Sequence, residues 1–104
     1  MGRLDLYANP ATAERKHTPY FLDVQNDYIA GLDTRVVIPL RREAMFGPRA
    51  RALHPIVNVG AEKLVLDTAA IGAVPTAELR KVVGRLAEAR AEVQEALDAL
   101  FGTY

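Results

Sequence analysis

Residues 19–40, PYFLDVQNDYIAGLDTRVVIPL, constrain this chain more than any other stretch. Two runs rich in Tyr, Phe, Leu, Val and Ile flank a centre that no strand tolerates. Tyr20 to Gln25 is predicted as one strand, with β-formers spaced among polar residues. Val36 to Ile38, an unbroken β-branched run, is predicted as a second strand covered on both faces. Asn26, Asp27, Gly31 and Asp33 are turn-formers, so the link reads as a long, irregular hairpin-like connection. Tyr28 and Ile29 put apolar bulk in the middle of that polar loop. The expectation is that they tuck beneath it and fill a small satellite core. The alternative is an exposed contact point for a partner.

Before this stretch, Leu4, Leu6 and Ala8 alternate with Asp5 and Tyr7, the pattern of a short half-buried strand. Asn9-Pro10 ends it, and Ala11 to Thr18 reads as a polar, mobile connection. After it, Pro39 is expected to close the second strand. RREAMFGPRARA then sets Arg41, Arg42, Arg49 and Arg51 against the single acid Glu43. This reads as a solvated loop or a broken helical turn, with a basic landing site for an acidic peptide or phosphate as the sharper alternative. Ile56 to Val59 and Leu64 to Leu66, turned by Gly60-Ala61-Glu62, form the clearest hairpin. Thr68 to Pro75 is rich in small residues and suits close packing or a final short strand.

From Thr76, a candidate N-cap, Leu79, Leu86, Val93 and Leu100 recur every seven residues. Val82, Val83, Ala89, Ala96 and Leu97 widen that stripe, so a helix is predicted from Thr76 to about Phe101, stopped by Gly102. Gly84 is its weak point, at about 1 kcal/mol relative to Ala. Helix-on-sheet packing is expected rather than a coiled coil. The apolar cluster of Leu97, Leu100, Phe101 and Tyr104 exceeds what one short terminus buries alone, which points to a dimer contact.

At 104 residues, with half of them hydrophobic and a quarter charged, the chain is expected to form one globular domain spanning 1–104. Formal net charge is zero, so no global field draws it to nucleic acid or an anionic membrane. Without cysteine there is no disulfide, thiolate nucleophile or Cys-based metal site. No apolar run suits a signal peptide or a bilayer span, and a soluble cytoplasmic protein is expected.

Little argues for catalysis. His17 and His54 lack the spacing of a metal pair and a nucleophile partner, so surface or packing roles are expected. Asp23, Asp27 and Asp33 lack calcium-loop spacing, and turn-capping accounts for Asp27 and Asp33. No glycine-rich phosphate loop or nucleophile elbow is present. The residues describe a small α+β domain that acts by contact, with no metal and no cofactor.

The pair FLDVQND and TRVVIPL resembles the CcdB family, the toxin half of a plasmid-type toxin–antitoxin system. Members carry a Phe-x-Val-Asp-Val-Gln-Ser-Asp-like block and then Arg-x-Val-Ile-Pro-Leu at about this distance. Pro55, Val57, Thr68, Val74 and Pro75 match further blocks. The resemblance implies an SH3-like, MazF-type antiparallel partly closed β-barrel with one long C-terminal helix, assembled as a homodimer. It also implies a poison that binds the A subunit of DNA gyrase and traps the enzyme on cleaved DNA. A CcdA-like antitoxin would neutralise it, and repress transcription jointly with it. By itself the chain would bind neither DNA sequence-specifically nor membrane.

Carried over by position, the gyrase contacts fall on Tyr28, Ile29, Asp98, Gly102, Thr103 and Tyr104. The family's best-known ending is Trp-Gly-Ile, where this chain has Gly102-Thr103-Tyr104. Antitoxin contacts are expected on Asn9, Ala11, Arg15, Arg41, Arg42 and Arg49, and on the outer helix face. Leu97, Leu100, Phe101 and Tyr104 are expected at the dimer interface. Two other classes compete with the gyrase poison. One is a MazF-like endoribonuclease recruiting Arg35, Arg41, Arg42 and His54. The other is a non-toxic homologue that keeps only antitoxin binding.

Overall fold

The β-branched run Val36-Val37-Ile38 becomes the spine of the sheet. In the computed structural model, which describes residues 2–29 and 31–102, it lies inside a nine-residue strand, β3 (Thr34–Arg42). Along one edge β3 pairs with β2 (Tyr20–Asp23), in the register Leu22 to Ile38 and Tyr20 to Leu40. Along the other it takes two partners end to end: β6 (Gly72–Pro75) on its first half and β5 (Glu62–Leu66) on its last. β2 continues to β1 (Asp5–Ala8) and then to β7 (Val82–Arg85), while β5 carries β4 (Ile56–Val59). Every pairing is antiparallel, and the order β4-β5-β3-β2-β1-β7, with β6 on β3, makes a curled half-barrel.

Pro39 does not close β3 as expected; the strand runs on to Arg42. The reason is where the proline falls. The β6 ladder ends at Val37 and the β5 ladder begins at Leu40, so Pro39 sits in the seam between them. A missing N–H there breaks no ladder bond. Its carbonyl still accepts from the Asp67 N–H at 3.0 Å.

The β4–β5 hairpin forms as predicted, with Val59 opposite Glu62 across Gly60-Ala61. Gly60 has φ 61°, the positive value that the first residue of such a tight turn requires.

Alternation along the strands divides the apolar residues between two cores. Leu4, Leu6, Leu22, Ile38, Leu40, Leu64 and Leu66 gather on one face, beneath Leu86, Ala89, Val93 and Ala96. Tyr7, Val37 and Leu79, flanked by Phe21 and Val74, form a smaller cluster on the other. Each leucine buried this deeply stabilises the fold by roughly 1.5–3 kcal/mol.

The C-terminal helix, α1, spans Arg90–Phe101 and is much shorter than predicted. Residues 76–89 form a turn at Thr76–Glu78, the strand β7 and a second turn at Ala87–Ala89. Thr76 caps no helix; its N–H bonds to the Asp33 carbonyl at 2.7 Å. The seven-residue repeat is real, but two cores read it. Leu79 enters the smaller cluster and Leu86 the larger, while Val93 belongs to the true helix. Val82, Val83 and Gly84 are weak helix formers, and the open edge of β1 offers them a ladder instead. Gly102, at φ 82°, ends α1 as expected, its N–H bonding to Asp98.

Residues 11–18 also differ from the mobile connection expected of them. Asn9 closes the loop, donating from Nδ2 to the Thr18 carbonyl and accepting the Ala11 N–H, each at 2.9 Å.

Candidate functional site

The loop between β2 and β3 is built on an ion pair that sequence reasoning did not anticipate. Asp23 ends β2 and Arg35 lies near the start of β3, both buried, at 0% and 1% side-chain exposure. Arg35 donates from Nε to Asp23 Oδ2 at 2.7 Å and from Nη2 to Asp23 Oδ1 at 2.9 Å. Such a two-pronged pair fixes direction as well as distance. The bond to Asp23 holds the Arg35 guanidinium more firmly protonated than usual, against the opposing effect of burial. Burial pushes the neighbouring Tyr7 phenol above its ordinary range, and the Asp23 and Asp5 charges push it the same way.

Gln25 extends the scaffold into the loop. Its Oε1 accepts the Val36 N–H at 3.0 Å and its Nε2 donates to the Ile29 carbonyl at 3.1 Å. Asn26 Oδ1 accepts the Tyr28 N–H, and Asp27 Oδ1 accepts the Arg3 N–H. The polar side chains of DVQND are thus spent on the loop's own backbone and its neighbours, shaping a single 3₁₀ turn at Asp27–Ile29.

With the polar side chains bonded to backbone, the apolar ones at the tip of the loop face out. Tyr28 is 97% exposed and Ile29 about half exposed, so they fill no satellite core. The expectation that they tuck beneath the loop is corrected; they stand where a contact residue stands.

Next to this loop lies the end of α1. A groove of about 410 Å³ runs between them, lined by Ile29, Val36 and Ile71 on one side and Leu97, Asp98 and Phe101 on the other. Arg3 sits at its rim and donates from Nη2 to Gln94 Oε1 at 3.0 Å. Ile29 and Asp98, far apart in the chain, therefore share one groove. Phe101 is 69% exposed there, and Leu100 is half-buried outside the lining. Gly102 follows the helix; Thr103 and Tyr104 lie outside the described residues.

The residues expected to meet an antitoxin form a second region. Arg42 donates from Nε to the Lys16 carbonyl at 2.8 Å and pairs with Glu62. Arg41 bonds Thr18 Oγ1 at 2.8 Å and Asp67 at 2.6 Å, so the end of β3 and the 11–18 loop are tied together. Ala11 and Arg15 are exposed on that loop, whereas Arg49 stands apart, bonding the His54 carbonyl. Asn9 is corrected. At 1% exposure its side chain holds the loop closed and cannot serve as contact surface.

The residues weighed for RNA cleavage are already occupied. Arg35 is buried against Asp23, Arg41 and Arg42 hold carboxylates, and His54 Nδ1 accepts the Ala50 N–H at 3.1 Å. The His54 ring packs edge-on against Phe46, a packing role. Sequence reasoning missed Arg3, Asp23, Gln25 and Arg35 as parts of the site. A charge of each sign inside otherwise apolar strands was the signal that could have found the pair.

A curled antiparallel sheet thus holds one exposed loop beside the tip of one helix. Among the described residues no helix is long and apolar enough to cross a membrane. The family model described as CcdB protein matches residues 3–102, essentially the whole chain, and the chain belongs to the CcdB family. That family comprises the toxin components of toxin–antitoxin systems.

Proposed function

We propose that this chain, as a homodimer, binds the A subunit of DNA gyrase, traps the enzyme on cleaved DNA and is neutralised by a CcdA-like antitoxin. The observation that carries this reading is the shared groove: Ile29 lines it together with Asp98 and Phe101, and Tyr28, next to Ile29 in the chain, stands exposed. Exposed aromatic anchors next to an apolar cleft are the residues that dominate binding energy at protein interfaces. Family membership supports the toxin class. Leu97, Leu100 and Phe101 supply apolar surface for contact between two copies, and an isologous pairing would place the two helix ends side by side. The antitoxin is assigned to Ala11 and Arg15 on the 11–18 loop, the adjoining Arg41 and Arg42, whose charges Asp67 and Glu62 already meet, and the separate Arg49, as landing points for a folding-on-binding tail.

The deciding experiment adds the purified chain to gyrase and supercoiled plasmid. Linear DNA released by detergent, together with growth arrest on expression, is the expected result. Expression without toxicity and no gyrase binding at micromolar concentration would refute the proposal.

A further inference from the structure

At the far end of the sheet, β7 pairs with β1 on one side only, and its outer edge has no strand beside it among the described residues. The pairing slips between Leu6 and Tyr7, so that Leu6 faces Gly84 while Tyr7 faces Val82. Val83 is the extra, bulged residue. A bulge breaks the alternation of side chains, and here Val82 and Val83 stay 47% and 45% exposed in succession. Open edges with exposed β-branched residues invite strand addition, and proteins ordinarily protect them with charge.

The charge flanking this strand is mainly positive. A groove of about 550 Å³ opens beside Val83 and Ala8, and Arg15, Arg80 and Lys81 line it against the single acid Glu78. None of the three cations holds a carboxylate among the described residues. Arg15 Nε donates to the Asn9 carbonyl at 2.6 Å, leaving its outer nitrogens available. The opposite edge strand, β4, is uncharged along its own length, Ile56-Val57-Asn58-Val59.

We infer that the outer edge of β7 is a docking site for an extended, acidic segment of a partner protein, which adds to the sheet as a further strand. Backbone pairing supplies affinity, Val82 and Val83 take its apolar residues, and Arg15, Arg80 and Lys81 take its carboxylates. A basic or neutral segment lacks that complement. The site shares no lining residue with the groove beside α1, so it does not depend on gyrase being a target. Of the surface assigned above to the antitoxin it uses only Arg15.

The test is a titration of the full-length, nitrogen-15-labelled chain with a short capped peptide alternating glutamate and valine. Amide shifts should centre on Ala8, Arg15 and Lys81 to Arg85, and weaken as salt is raised. The exposed double variant R80A/K81A should bind about five- to tenfold more weakly, the effect of losing two solvent-screened charge pairs. A matching lysine–valine peptide should leave the spectrum unmoved. A glutamate–valine peptide N-methylated at its central valines tests the strand geometry, and should lose most of its affinity. Shifts centred elsewhere, unchanged binding by R80A/K81A, or equal binding of the methylated or the lysine peptide would each overturn the inference.

Discussion

The buried pair of Asp23 and Arg35 offers the sharpest test of how the contact loop is held. Both side chains are out of water, and two charge-assisted hydrogen bonds of 2.7 and 2.9 Å join them. In D23L the guanidinium would remain buried, with only the Gln25 carbonyl at 3.5 Å and the solvent-exposed Asp27 carboxylate at 3.8 Å left to it, a weak substitute for the two lost bonds. In R35M the carboxylate would keep only the Gln25 N–H at 3.0 Å. Breaking a buried pair from either side costs about 3–5 kcal/mol, because the survivor is an uncompensated charge. The single losses therefore add to roughly 6–10 kcal/mol, as much as a small domain's whole stability. The double variant D23L/R35M leaves no charge behind and nearly conserves volume. It should lose no more than about 3 kcal/mol, a coupling of at least about 3 kcal/mol. Urea unfolding at 25 °C measures all four corners of the cycle, with an excluded osmolyte added equally to each so that the single variants fold. Additive losses, or single losses below about 1 kcal/mol, would refute the claim that this pair is the loop's foundation.

Tyr7 gives a pH test. Its folded-state pKa lies above the ordinary tyrosine value, so its contribution is fully present below about pH 10 and is lost as pH rises through the shifted value. Unfolding free energy should fall with pH above about 10, and Y7F should remove much of that slope; an identical slope in Y7F would dismiss the burial argument. Phe101 is largely exposed in the single chain, so at concentrations too low for two copies to pair F101A should shift stability by less than about 0.5 kcal/mol. It should weaken gyrase binding by about 2 kcal/mol, roughly thirtyfold; equal binding by titration calorimetry would remove Phe101 from the proposed contact. Gly60 and Gly84 should part ways. G60A forces φ 61° on a Cβ residue and should lose about 1–2 kcal/mol. G84A adds a Cβ 3.7 Å from Leu6 Cδ2, an ordinary contact, and should stay within about 0.5 kcal/mol by thermal unfolding.

Much of the sheet was legible because β-branched runs and turn residues carry their own local reasons. β2, β3 and the β4–β5 hairpin lie where Tyr20–Leu22, Val36–Ile38 and Gly60 place them. The start of α1 was not legible, because periodicity records that a residue is buried and not which core buries it. Leu79 and Leu86 kept the helical spacing of Val93 while packing on opposite faces of a sheet. Asn9 misled for a related reason. A polar residue at a strand end suggests surface, and only the return of the chain at Thr18 gives its amide a buried partner. The groove itself needed tertiary structure, since no local rule brings Ile29 to Asp98.

The proposed contact loop departs from the usual reading of an amphipathic segment. Loops ordinarily turn polar side chains to water and apolar ones inward. Here Asp23 and Gln25 are buried and bond inward, Asn26 and Asp27 spend their side chains on backbone N–H groups at the surface, and Tyr28 is left outside. Each such bond removes freedom that the loop would otherwise surrender on meeting a partner. Ordering an interface residue at the moment of binding costs about 0.5–1.5 kcal/mol, so a loop already fixed in the free protein binds with less loss. Gln25 matters most in this respect, because it joins the Ile29 carbonyl to the Val36 N–H and so moors the apolar tip to the spine of the sheet. The same strand holds Arg35, one residue before that anchor. The Asp-Val-Gln block and the Arg-Val-Val-Ile block are therefore two halves of one support, and either half without the other would leave the tip unfixed.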